Sequence, residues 1–293
     1  LGGVTRTLAS QIARLEPHFR IEQHAINADH PLPPHLDADA VVIHYTSAWT
    51  KLPFLTLLRA QRHRRPIVLV EHMYTEAFER LCVPNVARFR LMLRLTYRLA
   101  DVVVAVSEGQ AQWMLRAGLL PSDKLRVIAS ASDCSHLFDV PPPSFDGQRA
   151  LRLAAFGRYS YQKGYDILIE AMRHVDPRIA TLTLAGYGED EQKLRAAARG
   201  LPHVEIGASI KDLASFLTAC DAVVVPSRWE AFGLVCAEAR SAARPVIVAG
   251  LDGLNEQVSR ETGFAVNPED PEALADAIRQ LHRCDLTAMG GAA

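Results

Sequence analysis

Apolar residues along this chain switch between two periods. Short runs rich in valine, isoleucine and leucine alternate with longer stretches in which apolar residues recur every three or four positions. The first pattern predicts strands buried on both faces, the second predicts amphipathic helices, and their alternation predicts parallel sheets covered by helices. In the first half, Val4, Leu8, Ile12 and Leu15 keep helical spacing. Phe19 to Ile26 and Ala40 to Tyr45 are expected strands, separated by the proline-rich loop Pro31 to Pro34. Leu52 to Gln61 is an expected helix and Pro66 to Val70 a buried strand that delivers Glu71 and His72 at its end. Asp101 to Val106 is a further strand, and Ser107 with Gln110 forms a capping-box pattern opening a helix to Ala117. The strand Leu125 to Ile128 follows.

Pro141-Pro142-Pro143 with Asp146-Gly147 then breaks all periodicity. That composition suits a linker. The expected organisation is a domain over 1–140, a linker over 141–149 and a second domain over 150–293. The second half restarts the alternation, with strands at Leu151 to Phe156, Thr181 to Ala185, His203 to Ile206, Ala222 to Val225 and Pro245 to Val248. Helices are expected from Lys163-Gly164 through Met172, and over Lys211 to Thr218, Leu234 to Ala243 and Glu272 to Leu281. The closing residues CDLTAMGGAA carry no helical pattern. At the other end, Leu1-Gly2-Gly3 has a glycine turn without the strand that normally feeds one, so the first domain is expected to lack its first strand.

The chain's 293 residues, 49% hydrophobic and 22% charged, can bury two cores and describe an ordinary globular composition. A formal net charge of −1 provides no basic field for nucleic acid. The five cysteines are scattered and form no C-x-x-C pair, which favours buried thiols over disulfides or a zinc site. No run has the length of a membrane span, and the expected location is cytoplasmic. One segment qualifies that. Arg88 to Leu99 interleaves basic and apolar residues, with Arg90, Arg94 and Arg98 on one helical face. With Arg62-His63-Arg64-Arg65 it could meet anionic lipid at a membrane's inner face, although a solvated face over a core stripe has the same spacing.

The candidate chemistry centres on PSRWEAFGLVCAE, Pro226 to Glu238. It joins a buried strand to a helix, and the free N–H groups of such a helix start favour an anionic or hydroxyl-rich ligand. Gly233 permits close backbone approach, and Glu230 and Glu238 can face one crevice from different heights. Arg158 and Lys163 flank a glycine-bounded turn and can converge on one diphosphate, a planar fork beside a mobile point charge. Gly186-Tyr187-Gly188 permits a tight turn but lacks the third glycine of a dinucleotide fingerprint. Gly250 to Gly253 forms another corner able to lend N–H groups to phosphate. His72, at a strand's carboxyl end, is placed for ligand contact, with a satisfied loop histidine as the competing reading.

The string PSRWEAFGLVCAEARSAARPVIV resembles the E-x7-E signature of retaining glycosyltransferases of the GT-B fold, family four. GRYSYQKGYDILIEA, LAGYGEDEQKL and VEIGASIKDLASFLTACDAVVVPS precede it in that family's order and spacing. The resemblance implies two Rossmann-like doubly wound domains facing a cleft, with a nucleotide-diphosphate sugar as donor, UDP-linked before GDP-linked. Gly2 and Gly3 would lie against the donor phosphates, and Gly157, Gly186 and Gly207 would line the nucleotide, its base at the Gly207 exit. Glu238 would hold the ribose hydroxyls, Glu230 and the backbone of Phe232-Gly233-Leu234 the sugar hydroxyls, and His72 the donor sugar or acceptor. The implied outcome is transfer to a saccharide or lipid-linked hydroxyl with anomeric retention, without metal or further cofactor. The chain departs from the family at the loop before Asp133, at Ala243 and at Asn255. An inactive nucleotide-sugar-binding subunit and a nucleotide-sugar epimerase on the same architecture remain open alternatives.

Overall fold

The computed structural model describes residues 3–25, 32–34, 36–61 and 65–293. Contacts divide the chain into two compact units, Leu1–Ser132 and Asp133–Ala293. In the first unit the order is α1 (Gly3–Leu15), β1 (Val41–Ile43), α2 (Leu52–Ala60), β2 (Ile67–Glu71), α3 (Glu76–Cys82), α4 (Val86–Leu99), β3 (Val102–Ala105), α5 (Glu108–Arg116) and β4 (Leu125–Val127). The four strands pair in parallel in sequence order, β1-β2-β3-β4. Leu69, Val103 and Ala105 from the sheet pack with Leu55 of α2, Leu93 and Tyr97 of α4 and Met114 of α5 in one apolar core.

Two expectations change here. The strand foreseen at Phe19 to Ile26 does not form over the described residues 19–25, which are irregular, and Phe19 is 62% exposed. Its alternation finds no neighbouring strand to complete a ladder, and alternation alone does not hold a strand. The capping box opens α5 as expected at Ser107, whose Oγ accepts the Gln110 N–H at 3.1 Å. The return bond differs: Gln110 accepts from the Val106 N–H at 2.8 Å and donates to the Tyr74 carbonyl at 2.8 Å.

In the second unit the order is β5 (Leu151–Arg158), α6 (Tyr165–Arg173), β6 (Ala180–Tyr187), α7 (Glu191–Ala197), β7 (Val204–Gly207), α8 (Leu213–Thr218), β8 (Ala222–Val225), α9 (Leu234–Ser241), β9 (Val246–Ala249), β10 (Gly263–Val266), α10 (Pro271–Leu281) and α11 (Leu286–Ala292). The parallel sheet runs β10-β9-β8-β5-β6-β7, so the strand order reverses between β5 and β8. This is the doubly wound arrangement, and such a reversal opens a crevice beyond the carboxyl ends of the two central strands. Pairing there is brief: Leu153 faces Ala222 and Ala154 faces Val223.

The closing residues do form a helix, contrary to expectation. Asp285 caps α11 by accepting the Ala288 N–H at 3.0 Å, and Leu286 and Met289 are buried, an i, i+3 pair that the two glycines disguised. Thr287 of α11 donates to the Pro143 carbonyl at 2.8 Å, and buried Arg244 donates to the Pro141 carbonyl at 2.8 Å, so the proline-rich segment packs on the second unit. Ala243 sits at φ 54°, a left-handed conformation more readily held by the glycine its resembling family carries.

One buried carboxylate ties the start of β5 to β8. Asp221 receives Arg149 at 2.5 and 2.9 Å, the Arg152 guanidinium at 2.8 Å and the Arg152 N–H at 2.8 Å. Burial alone would raise its carboxyl, but these hydrogen bonds outweigh burial and hold it down to about 2. A depressed carboxyl stabilises the fold above its unfolded pKa near 4 and loses that contribution as pH falls towards 2. Asp221→Ala is expected to cost roughly 3 kcal/mol in urea unfolding at pH 7. The difference from wild type should shrink as the same titration is repeated between pH 4 and 2.

Candidate active site

The carboxyl ends of the second unit's central strands carry several of the residues singled out from the sequence. On one side of the reversal, Gly157 and Gly186 face each other in the β5–β6 register and Gly207 pairs with Ala185 at the end of β7. Beneath them the Tyr159 hydroxyl donates to the Leu184 and Gly207 carbonyls at 3.1 and 2.8 Å. Arg158, the last residue of β5, is exposed and makes no side-chain hydrogen bond or ion pair among the described residues.

On the other side, β8 leads through Pro226 to Gly233, the N-cap of α9. The chain turns here because Gly233 adopts φ 100°, and a Cβ on it would lie 2.5 Å from Leu254 Cδ2 and 3.3 Å from Glu230 Cγ. Phe232 and Leu234 flank it, and Glu238 is 3% exposed inside α9. Gly164 joins the two sides. Its φ is 63°, and a Cβ would sit 2.1 Å from the Pro226 carbonyl oxygen, so only glycine lets the start of α6 lie against this corner.

Lys163 and Glu230 meet in this junction. Lys163 Nζ lies 2.5 Å from Glu230 Oε2, with the side chains only 18% and 15% exposed, and Ser227 Oγ donates to the same oxygen at 3.3 Å. The sequence reading gave these residues separate parts of a ligand, phosphate and sugar. Here each holds the other, so an anion reaching Lys163 competes with a carboxylate already in place.

Several residues that organise the site escaped the sequence reading. Arg228, 7% exposed, forks onto Asp166 at 2.9 and 2.7 Å, reaches Glu269 at 3.2 Å and donates to the Tyr161 carbonyl at 2.8 Å. It lies 4.0 Å over the Tyr161 ring. Its N–H bonds the Gln162 carbonyl at 2.8 Å, and Gln162 Nε2 returns a bond to Trp229 at 3.1 Å. The turn carrying Lys163 is thereby strapped to the turn carrying Glu230. A second strap comes from the 250–257 corner. Asp252 accepts the Glu230 N–H at 3.2 Å, and Gln257 donates to the Phe232 carbonyl. Part of the N–H supply expected of that corner is already used: the N–H groups of Gly250, Leu251, Gly253 and Leu254 bond protein carbonyls.

In the first unit, His72 follows β2 and pairs with His44, His44 Nδ1 to His72 Nε2 being 2.9 Å. Gly3 begins α1, while Gly2 lies outside the described residues. The basic face foreseen on α4 is partly engaged elsewhere. Arg90 forks onto Glu79 at 2.8 and 2.5 Å, and Arg94 donates to the Gly118 and Ala117 carbonyls at 2.9 and 3.1 Å, which fixes α4 to the end of α5. Arg65 donates to the Leu36 carbonyl, and residues 62–64 lie outside the described set. All five cysteines are free thiols. No helix among the described residues is long and apolar enough to cross a membrane.

Residues 150–284 match the family model described as glycosyl transferases group 1, and residues 4–131 match the glycosyl transferase 4-like domain. Each half of the chain thus matches a glycosyl transferase domain model. Among curated proteins, the chain is 29% identical over 204 residues to a D-inositol 3-phosphate glycosyltransferase of Xylanimonas cellulosilytica, covering 62% of this chain and 48% of that one. It is 28% identical over 258 residues to a phosphatidyl-myo-inositol mannosyltransferase of Mycobacterium leprae, covering 85% and 66%. The chain therefore spans about half of the first of these relatives and about two thirds of the second. Among solved structures, that of Anabaena HepE in complex with UDP superposes with a TM-score of 0.67 at 21% identity, covering 85% of this chain and 71% of that one. That likeness establishes the fold as GT-B.

The strap through Arg228 has a direct test. Arg228→Ala is expected to lower stability by about 1–3 kcal/mol, because the buried guanidinium's hydrogen bonds to Asp166 and the Tyr161 carbonyl and its stack on Tyr161 are lost. Arg228→Lys should recover less than half of that loss in thermal or urea unfolding, since an ammonium cannot reproduce the fork or the stack on Tyr161.

Proposed function

We propose that this chain is a retaining glycosyltransferase that binds a nucleotide-diphosphate sugar on its second unit and transfers the sugar to a hydroxyl of a saccharide or lipid-linked acceptor. The observation that carries this reading is the Lys163–Glu230 pair, 2.5 Å apart beside the start of α9, where the strand order of the sheet reverses. The cation stands beside a helix start, and Glu238 is buried within that helix. Transfer requires that negative charge growing on the leaving diphosphate be met by fixed positive groups. Lys163, Arg158 and the N–H groups at Gly233-Leu234 would supply them without a metal. Freed from Lys163 by the phosphate, Glu230 would turn to sugar hydroxyls, and Glu238 would read the ribose. A UDP-sugar is the first donor to try, in keeping with the UDP in the HepE structure, and a GDP-sugar the next. Retention would follow departure and attack on the same face of the sugar. The assembly of polysaccharide or glycolipid from the cytoplasmic side is the setting that fits the resembling relatives.

The first unit offers a surface for a peripheral contact with an anionic membrane. Leu91 and Leu95 of α4 are 49% and 40% exposed, Val86 and Trp49 are exposed beside them, and α4 contains four arginines and no acid. Arg88 lies 5.7 Å over the Trp49 ring. Trp49, Ala87, Arg88 and Leu91 line an open hollow of about 440 Å³. Aromatic and aliphatic groups rimmed by arginine suit the headgroup layer.

Two measurements test the reading. In a thermal-shift panel of UDP-, GDP- and ADP-sugars, one nucleotide at about a hundred times its Kd should raise the melting midpoint by roughly 5–10 °C. Lys163→Ala should erase that rise, while Glu230→Ala and Arg158→Ala should lower transfer by about 10²-fold with the fold intact. A new nucleotide sugar formed from donor alone would instead indicate an epimerase, and binding without turnover a non-catalytic subunit. For the membrane contact, the protein should float with phosphatidylglycerol vesicles and not with phosphatidylcholine vesicles. Leu91→Ser combined with Leu95→Ser should leave it in the dense fraction.

A further inference from the structure

Two imidazoles meet at the carboxyl ends of β1 and β2. His44 Nδ1 and His72 Nε2 are 2.9 Å apart, and the rings stack with centroids separated by 5.3 Å and planes tilted by 24°. Strand register sets this up, because Ile43 pairs with Leu69 and the chain leaves both strands within a few residues of that point. The fully buried Glu71 then pins both exits. Its carboxylate accepts the Met73 and Tyr74 N–H groups at 3.1 and 3.4 Å, Ser47 Oγ at 3.4 Å and the Tyr97 hydroxyl at 3.2 Å. The Tyr74 hydroxyl adds a bond to the Ser47 carbonyl at 2.6 Å. The two rings are held by a network to which neither belongs.

A hydrogen bond between ring nitrogens contains one proton, and that fixes the rest of the pair. If His44 donates, its hydrogen is on Nδ1, and His72, accepting at Nε2, carries its own on Nδ1. If His72 donates, both rings carry hydrogen on Nε2. Neutral rings in this geometry therefore always share a tautomer. Moving the central proton requires one outer nitrogen to gain a proton as the other loses one.

Burial lowers both imidazoles, and for His72 the charge that His44 would carry adds to burial and brings it to about 4. The pair is neutral near pH 7. The other titratable groups on these strand ends are Glu71, raised by burial; Tyr45, Tyr74 and Tyr97, also raised by burial; and Lys51, which burial lowers. Lys51 is held by the Thr46 carbonyl at 2.9 Å and lies over the Tyr45 ring.

We propose that His44 and His72 form a two-ring proton relay that serves a hydroxyl of a bound sugar or polyol, with His44 setting the tautomer of His72 and carrying its proton onward. The hydroxyl proton passes to His72 Nδ1, the shared proton passes from His72 Nε2 to His44 Nδ1, and the proton on His44 Nε2 leaves to water. The hydroxyl oxygen keeps the O–H electron pair, which is available for a bond to the donor's electrophilic carbon. His44 is thus a positioning residue acting through His72. The use of the relay in sugar transfer rests on the glycosyltransferase reading, whereas the coupling of the rings does not.

Long-range proton–nitrogen NMR of the histidine-labelled full chain tests it without substrate. Both rings should show the same tautomer near pH 7 and should take up a proton together well below the ordinary imidazole range. His44→Asn, with His44→Gln as a second variant should the first fold poorly, keeps a hydrogen-bonding amide but cannot pass a proton. It should leave the melting midpoint unchanged, release His72 to a tautomer mixture and raise its titration by about one unit or more. In the transfer assay kcat should fall about 10²-fold while the donor KM moves less than about threefold. Unlike tautomers in the wild type, or a variant in which the tautomer and titration of His72 are unmoved, would overturn the relay. Matched, coupled rings in a chain that transfers no sugar would support the relay and defeat the transferase reading.

Discussion

The second unit is organised by a pairing that stops early. β5 and β8 are neighbours through Leu153–Ala222 and Ala154–Val223, yet β5 runs on to Arg158 and β8 to Val225. The paired register of the two strands ends at Ala154, at a reversal of strand order. Whatever fills that opening must come from the two exits. The fold answers with Gly164 against the Pro226 carbonyl, Arg228 across the turn of Tyr161 and Gln162, and Lys163 against Glu230. Charged groups thus gather where the strand order of the sheet reverses.

Asp221 does the corresponding work at the opposite end of the same strands. It is buried with two arginines and a backbone N–H around it, so the start of β5 and the start of β8 are drawn together where the crevice is not wanted. A buried carboxylate with this many donors is tolerable in a low-dielectric site only because each lone pair is met. Tight amino ends and parted carboxyl ends describe one device with two functional halves.

The strands β2, β3, β5, β6 and β8 were legible from the sequence to within about two residues, because runs such as IVLV, VVVA and AVVV have a single economical use in a parallel sheet. Phe19 to Ile26 had an equally plausible pattern, but the described residues 19–25 pair with no described strand, and partnership is a tertiary fact. β10, α3 and α7 were not anticipated: GFAV is too short to show a period, and the two helices have seven residues each. Lys163, Glu230 and Glu238 stood out as candidates since the surrounding string resembles a known signature. Their mutual distance was not legible, and neither was Arg228, although it lies two residues before Glu230. An arginine in a loop reads as a solvated charge until the structure reveals Asp166, Glu269 and an aromatic ring converging on it. His44 had no signal at all, being one of 11 histidines after a three-residue strand.

If the crevice takes the donor as proposed, its ion pair would also act as a filter on charge number. A ligand bearing one negative charge gains from Lys163 little more than Glu230 already provides, so exchanging one for the other is close to neutral. On the proposed reading a diphosphate would bring more charge and would have the exposed guanidinium of Arg158 and the amide hydrogens at the head of α9 as further partners. The resident carboxylate would then set a threshold that multivalent phosphates clear and that chloride, acetate or a simple monoester does not.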